Sequence, residues 1–381
     1  MFEKLRTIIY PHTSEIPSNY ANVTQVLKTC AAFENSGIRT YLVAPKAPGH
    51  IKGDLSKWFG ARIDFETWLF RKISIPAWAM LMGFFCGIVL LFRKGGVLYT
   101  RIPGVARGAS YLNVKIVLEL HVTYDNLSAR QQRHFKQLMA TNSLLGVVVI
   151  TNALKRAYSR DYESLNDKIL VAHSGADDPG EIEGLPTGDV FTGKVFTVGY
   201  VGHLYPGKGM EIIAQLAHLC PHFSFEVVGG HKEDLEYWKH KTSDLDNIKY
   251  AGFLPPGEAR KRILDFDVVI APYLRVIKGA GGEDIAEGIS PLKIFEYMSM
   301  SKPILASSLP TILEVLEDKV DAMLCDPDNI DDWVRALDLL ASNTEIRMVL
   351  GKNAKEKFTK SYTSKARAQR ILGFIDISLQ D

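Results

Sequence analysis

Val195-Phe196-Thr197-Val198-Gly199-Tyr200-Val201-Gly202-His203-Leu204-Tyr205-Pro206-Gly207-Lys208-Gly209 is a β-rich run that breaks into a glycine loop holding one lysine, and Met210 to Leu219 continues it with helical periodicity. Strand, loop and helix in that order are the start of a βαβ unit with a phosphate-sized turn. Gly202 to Lys208 satisfies G-x-x-x-x-G-K, but Gly209 stands where a P-loop places the Ser or Thr that holds Mg²⁺, so the NTPase reading is disfavoured. No G-x-G-x-x-G occurs in the chain, which argues against a dinucleotide oxidoreductase.

Outward from this stretch, strands alternate with helical segments, the pattern of parallel sheets covered on both faces. Strands are expected at Thr7–Pro11, Tyr41–Ala44, Val97–Thr100, Val114–Leu120 and Gly146–Ile150. A second set is expected at Phe196–Val201, Phe223–Val228, Ile248–Tyr250, Val268–Ala271 and Pro303–Ala306. These make two doubly wound units, and the Pro-, Gly- and acid-rich run Asp177–Gly188 is the expected linker.

A second segment, Ser290-Pro291-Leu292-Lys293-Ile294-Phe295-Glu296-Tyr297-Met298, reads as a helix start, with Ser290 as N-cap and Pro291 at the first helical position. The free N–H groups of such an end favour a phosphate without any metal. Glu296, a turn and a half in, then points just past that phosphate.

Together the two segments resemble the donor half of the retaining glycosyltransferases of family 4, most strongly from Val195 to about Asp326. The resemblance implies an α/β GT-B architecture, two Rossmann-like domains with parallel sheets facing a central cleft. On that basis residues 1–185 form an acceptor-binding domain, 186–360 a nucleotide-sugar donor domain, and 361–381 a helix returning to the first. Gly202 and Lys208 match the family's glycine loop and pyrophosphate lysine, and Glu296 matches the second acid of its Glu-x7-Glu pair, on the ribose. Ser290, Pro291 and Leu292 fall at the anion end of that helix, and Phe253 and Leu254 line the base. His121, just past the strand ending Glu119-Leu120, matches a histidine beside the transferred sugar. Ala172–Asp177 matches a structural turn closing the first domain.

Two departures stand out. The family's first acid is replaced by Gly288, leaving Glu283, Asp284 and Glu287 as candidate sugar contacts. His203 stands where many members carry an arginine, so Lys208 is expected to act alone or with a partly charged histidine. The family's Gly-Gly loop corresponds here to Ile16–Tyr20, where Ser18 and Asn19 are the candidate contacts ahead of a helix to about Glu34.

The 381 residues, 46% hydrophobic and 23% charged, suit a soluble globular protein of about two domains. Four scattered cysteines, Cys30, Cys86, Cys220 and Cys325, indicate neither a zinc site nor a disulfide framework, and the first strand begins without a signal peptide ahead of it, so a cytoplasmic setting is expected. Residues 73–92 are twenty without a charge, the length of a bilayer span. A span would separate strands from their sheet partners, so the alternatives are a buried helix or one dipping an apolar face into a leaflet. From Arg39 to Arg107 eleven basic residues meet three acidic ones, a local net of +8 in a chain of net +2. That face is expected to attract anionic lipid, placing the protein peripherally on the inner face of the cytoplasmic membrane. No nucleic-acid motif accompanies the charge.

The function implied is retaining, metal-independent transfer of a hexose-type sugar from a nucleotide diphosphate sugar, UDP favoured over GDP, to a hydroxyl of a lipid-linked or surface-polysaccharide glycan. Lys208, Glu296 and His121 are the candidate catalytic residues, and no cofactor beyond the co-substrate is expected. The alternatives are a GT-B-fold epimerase or phosphorylase, which needs no separate acceptor, and a non-catalytic membrane-docking scaffold.

Overall fold

The computed structural model describes residues 4–18, 21–48, 55, 63–73, 75–180, 195–278 and 286–380. The chain divides into two compact units, Met1–His173 with Ser364–Asp381, and Ser174–Thr363. The changeover thus comes at Ser174 and not at 186, because Ala176 already donates its N–H to Tyr362 O at 3.1 Å inside the second unit. Most of the expected linker lies outside the described residues.

The first unit runs β1 (Thr7–Pro11), α1 (Ala21–Asn35), β2 (Arg39–Pro45), β3 (Glu66–Phe70), α2 (Trp78–Leu91), β4 (Gly96–Thr100), α3 (Pro103–Ser110), β5 (Lys115–Leu120), α4 (Ala129–Met139), β6 (Leu144–Val149), α5 (Asn152–Asp161) and β7 (Ile169–Val171). All pairings are parallel, in the order β3-β2-β1-β4-β5-β6-β7. The β-branched runs of β1, β4, β5 and β6 are buried on both faces, with Ile8, Val97, Val117 and Val148 fully enclosed. The second unit runs β8 (Thr197–Val201), α6 (Met210–Leu219), β9 (Ser224–Val228), α7 (Lys232–Lys241), β10 (Ile248–Gly252), α8 (Pro256–Ile263), β11 (Val268–Ala271), α9 (Leu292–Ser299), β12 (Ile304–Ser307), α10 (Pro310–Leu313), β13 (Met323–Cys325), α11 (Ile330–Ser342) and α12 (Thr344–Ser361). Its parallel order is β10-β9-β8-β11-β12-β13. The last helix, α13 (Ser364–Ser378), belongs to the first unit and packs on α1. Strands β3, β7 and β13 were not expected from the sequence.

In each sheet the strand order reverses once, between β1 and β4 and between β8 and β11. Loops leaving the carboxyl ends of those strand pairs diverge, which opens a crevice where ligands of such sheets bind.

The apolar stretch 73–92 is neither a span nor a wholly buried helix. Among the described residues no helix is long and apolar enough to cross a membrane. One face of α2, Met82, Gly83, Cys86, Gly87 and Leu90, is buried. A methyl at Gly83 would lie 1.9 Å from Val105 O, and one at Gly108 would lie 1.9 Å from Met80 O, so α2 and α3 touch backbone to backbone through glycines. The opposite face leaves Leu81, Phe84, Phe85, Leu91 and Phe92 exposed, Phe92 by 82%.

Gly83→Ala and Gly108→Ala should each lower the urea midpoint by the equivalent of about 1–3 kcal/mol, because the backbone must move to admit the methyl. Gly373→Ala, in α13 with open space at its Cβ position, should raise it by about 0.5–1 kcal/mol.

Candidate functional site

The loop after β8 is folded by three glycines in left-handed conformations, Gly202 (φ 153°), Gly207 (φ 82°) and Gly209 (φ 106°). A side chain at Gly207 would strike Val276 O at 2.1 Å, and one at Gly209 would strike Pro272 O at 2.2 Å. The loop is also stitched to the segment after β11 by Leu274 N–H donating to Gly207 O (3.0 Å) and Lys278 N–H donating to Pro206 O (3.1 Å). Lys208 is therefore held at the β8/β11 reversal. Its ammonium lies 5.3 Å from the Tyr273 ring centroid, and burial pushes it down to about 8.

Helix α9 reaches the same place. Its Tyr297 hydroxyl accepts from Val201 N–H at 2.8 Å and donates to Ile270 O at 3.4 Å, which pins the helix across the ends of β8 and β11. The helix starts at Leu292, with Pro291 in the cap position and extended. Ser290 is not its cap: the Ser290 Oγ accepts from Ser174 N–H at 3.0 Å, so a side chain expected to close the helix end is spent on another contact. The first N–H groups of α9 have no intrahelical acceptors by helix geometry. Glu296 follows one turn in, half-buried.

The sequence reading missed Lys293. Its side chain is buried at 8% exposure, its Nζ has no hydrogen-bond partner, and it sits 3.6 Å from the Tyr200 ring centroid and 4.7 Å from that of Tyr273. Burial first, then the charge of Lys208, holds this ammonium well below the usual lysine range, against the pull of Glu296. A methyl on Gly202 would lie 3.2 Å from Lys293 Nζ, so the glycine is what lets the lysine approach the loop. The second cation beside Lys208 is therefore Lys293. His203, stacked on Tyr205 (centroids 5.0 Å) and on His231 (5.3 Å), is pushed down to about 4 by burial and then by His231, Lys208 and Lys293. It is a neutral ring near neutral pH and not the partly charged histidine expected. A lysine at the second position of an anion-binding helix end was the available signal.

Phe253 and Leu254 follow β10 directly, Phe253 exposed by 53% and Leu254 half-buried. Asn19, Glu283 and Asp284 lie outside the described residues, as does the side chain of Glu287. Ser18 lies ahead of α1 with its Oγ buried and unpartnered.

In the first unit, His121 follows β5 and its Nε2 lies 2.5 Å from Glu119 Oε1. Glu119 is fully buried and also meets the Tyr99 hydroxyl, Arg101 Nη2 (2.9 Å) and Arg367 Nη2 (2.9 Å), while Arg367 Nε donates to His173 O (3.0 Å). Burial would raise the Glu119 carboxyl, but Arg101, Arg367 and the His121 bond hold it well below the usual range. Burial and Arg101 push His121 down to about 4 despite Glu119, so it is neutral, with Nε2–H donating to the carboxylate. Period-2 spacing puts Glu119 and His121 on one face of the strand, the sign in the sequence that the two act together. Among the described residues no cluster of His, Cys, Asp and Glu suits a metal, and all four cysteines are free and buried.

Comparison with known proteins agrees with this layout. Residues 189–357 match the model of the glycosyl transferases group 1 family. An uncharacterized glycosyltransferase of Haemophilus influenzae is 26% identical over 240 residues, 62% of this chain and 62% of the relative, so the match spans less than two thirds of that relative's length. A glycosyltransferase of Rickettsia africae has a similar structure (TM-score 0.74, 16% identity, 99% of both chains). So does Anabaena HepE in complex with UDP and glucose (TM-score 0.68, 17% identity, 96% of this chain and 97% of that one). At these identities the structures establish the shared GT-B fold.

Glu119→Gln would leave two buried guanidinium groups without a counter-charge, and urea unfolding should register a loss of about 3–5 kcal/mol. In the wild type, Glu119 contributes its stability above the unfolded carboxyl value of about 4 and loses it as pH falls through its lower folded value. His121 and His203, depressed to about 4 when folded, cost stability as pH falls from about 6.5, where the unfolded chain starts to bind protons that the folded one does not. Stability should therefore decline below about pH 6.5, and replacing either histidine by an uncharged residue should flatten that limb in a pH series of unfolding curves.

Proposed function

Residues 189–357 match the glycosyl transferases group 1 family, and from that match we propose that the chain is a retaining, metal-independent glycosyltransferase that moves a hexose from a UDP-sugar to an acceptor hydroxyl. The observation that carries the reading is the pair of lysines at the open end of α9 on the β8/β11 reversal, half-buried Lys208 and buried Lys293. Two lysines and a helix N-terminus suit the negative charge of a diphosphate. That HepE was captured with UDP and glucose supports uridine as the base.

As the acceptor oxygen attacks the anomeric carbon on the face the diphosphate is leaving, the bond from that carbon to the phosphate oxygen breaks. The leaving oxygen takes the acceptor's proton, and configuration is retained. Negative charge grows on the diphosphate in that step, and Lys208, Lys293 and the first N–H groups of α9 are fixed before it appears. Glu296 takes the ribose hydroxyls, Phe253 and Leu254 flank the base, and neutral His121, oriented by Glu119, offers Nδ1 as an acceptor to a sugar hydroxyl. Lys208 and Lys293, held low by burial, gain affinity for protons when the diphosphate arrives, so part of the donor's binding goes into charging the groups that stabilise its departure.

The exposed apolar face of α2 supports a second part of the reading, peripheral docking on an anionic cytoplasmic leaflet that presents a lipid-linked glycan. Phe84, Phe85, Leu91 and Phe92 lie between the basic pairs Arg71-Lys72 and Arg93-Lys94, so hydrophobic insertion and headgroup attraction act at one place.

Thermal unfolding in EDTA tests the donor site. UDP at a hundred times its dissociation constant should add about 2.7 kcal/mol of stability. Lys208→Ala, Lys293→Met and Glu296→Ala should each weaken that response, and no response to any nucleoside diphosphate would remove the reading. For docking, the wild type should float with vesicles containing anionic lipid, and Phe85→Ser/Phe92→Ser should not, with UDP binding unchanged. A wild type that stays out of the lipid fraction would end the membrane part alone.

A further inference from the structure

At the carboxyl end of the first unit's sheet stands a second polar cluster that the donor chemistry leaves unused. His12 follows β1 and Arg101 follows β4, so the two flank that sheet's reversal, and Thr100 Oγ1 donates to Pro11 O across it at 3.1 Å. Both ring nitrogens of His12, the Tyr10 hydroxyl and Nε of Arg101 are buried without a hydrogen-bond partner, while Arg101 Nη2 is paired with Glu119. Native interiors hold few such atoms, since each costs about 1–3 kcal/mol when left unsatisfied. Four of them at a sheet's reversal point mark a place whose bonding is completed by something else.

Charge indicates what completes it. Among the described residues Arg101 and Arg367 share one carboxylate, Glu119, each at 2.9 Å. Burial and then Arg101 push His12 down to about 4, so His12 adds no charge of its own, and His121 is likewise neutral. One guanidinium charge is left over in a buried cluster. Arg101 Nε is a charged donor still free to take an oxygen of a carboxylate or phosphate, Nη2 being spent on Glu119.

We propose that His12 and Arg101 form a subsite for an acidic group of the acceptor, with Arg101 Nε donating to one of its oxygens and His12 donating to another. The acceptor is then an acidic sugar or a sugar phosphate and not a neutral glycan. This deepens the glycosyltransferase reading and rests on it.

The experiment uses the full chain in saturating UDP, which fills the diphosphate site, with glucuronate, glycerol 3-phosphate or glucose added at constant ionic strength and binding read by calorimetry. At least one of the two acids should bind while glucose does not. Arg101→Met and His12→Leu should each weaken that binding at least tenfold and keep their UDP response. His12→Leu guards against misfolding: it removes two unsatisfied nitrogens, so its unfolding midpoint without ligand should be unchanged or higher. Binding of neither acid by a wild type that binds UDP, or acid binding undiminished in both variants, would overturn the subsite. Loss of the UDP response in Arg101→Met would overturn it too, because the cluster would then serve the donor's diphosphate. Failure of the wild type to bind UDP would instead sink the donor reading.

Discussion

Placing an ammonium group in a protein interior with no hydrogen-bond partner costs several kcal/mol, and the second unit is arranged around doing so at Lys293. The faces of Tyr200 and Tyr273 accept part of the charge. Gly202 is bare because a side chain there would press on Lys293, and the loop it begins carries Lys208 to the same spot. Tyr297 locks α9 to the ends of β8 and β11, which fixes where Lys293 points. A dianionic group at this place would offset each of these local costs.

The first unit shows the same logic with the balance drawn differently. Glu119 is buried among two guanidinium groups, a tyrosine and a histidine, and each partner satisfies a different part of the carboxylate. Arg367 comes from the end of the chain, so α13 does more than cover α1: it delivers a charge to a cluster built from β4 and β5. Removing Glu119 would leave both guanidinium groups without a counter-charge, so the carboxylate is the member on which the cluster depends.

How much of this was legible in the sequence follows from where the signal resides. Central strands such as β5 and β11 are buried on both faces and show as continuous β-branched runs. Of the strands missed, β3, β7 and β13 are all at sheet edges, two of them only three residues long, and Glu66-Thr67-Trp68-Leu69-Phe70 has too little alternation to stand out. The glycine loop and Glu296 were legible because backbone conformation and helix polarity are local properties. Lys293 was not: alone it reads as a solvated lysine, and its place against Tyr200 of β8 and Tyr273 just past β11 shows only in the fold. Arg101, Glu119 and Arg367 were hidden for the same reason, since their meeting spans 266 positions of chain. Ser290 misled because a good cap residue was drawn to Ser174 instead.

The central claim is that burial holds the Lys208 and Lys293 ammonium groups below the usual lysine range and that a diphosphate draws protons to them. Calorimetry of UDP binding in EDTA at pH 8, repeated in buffers of different ionisation enthalpy, measures it directly. The terminal phosphate of UDP, with its second pKa near 6, is already ionised at that pH and contributes little. The account predicts net proton uptake on binding, reduced in Lys208→Ala and in Lys293→Met, because an anion raises the affinity of both ammonium groups for protons. Tight UDP binding with no proton uptake, the same in wild type and both variants, would contradict it.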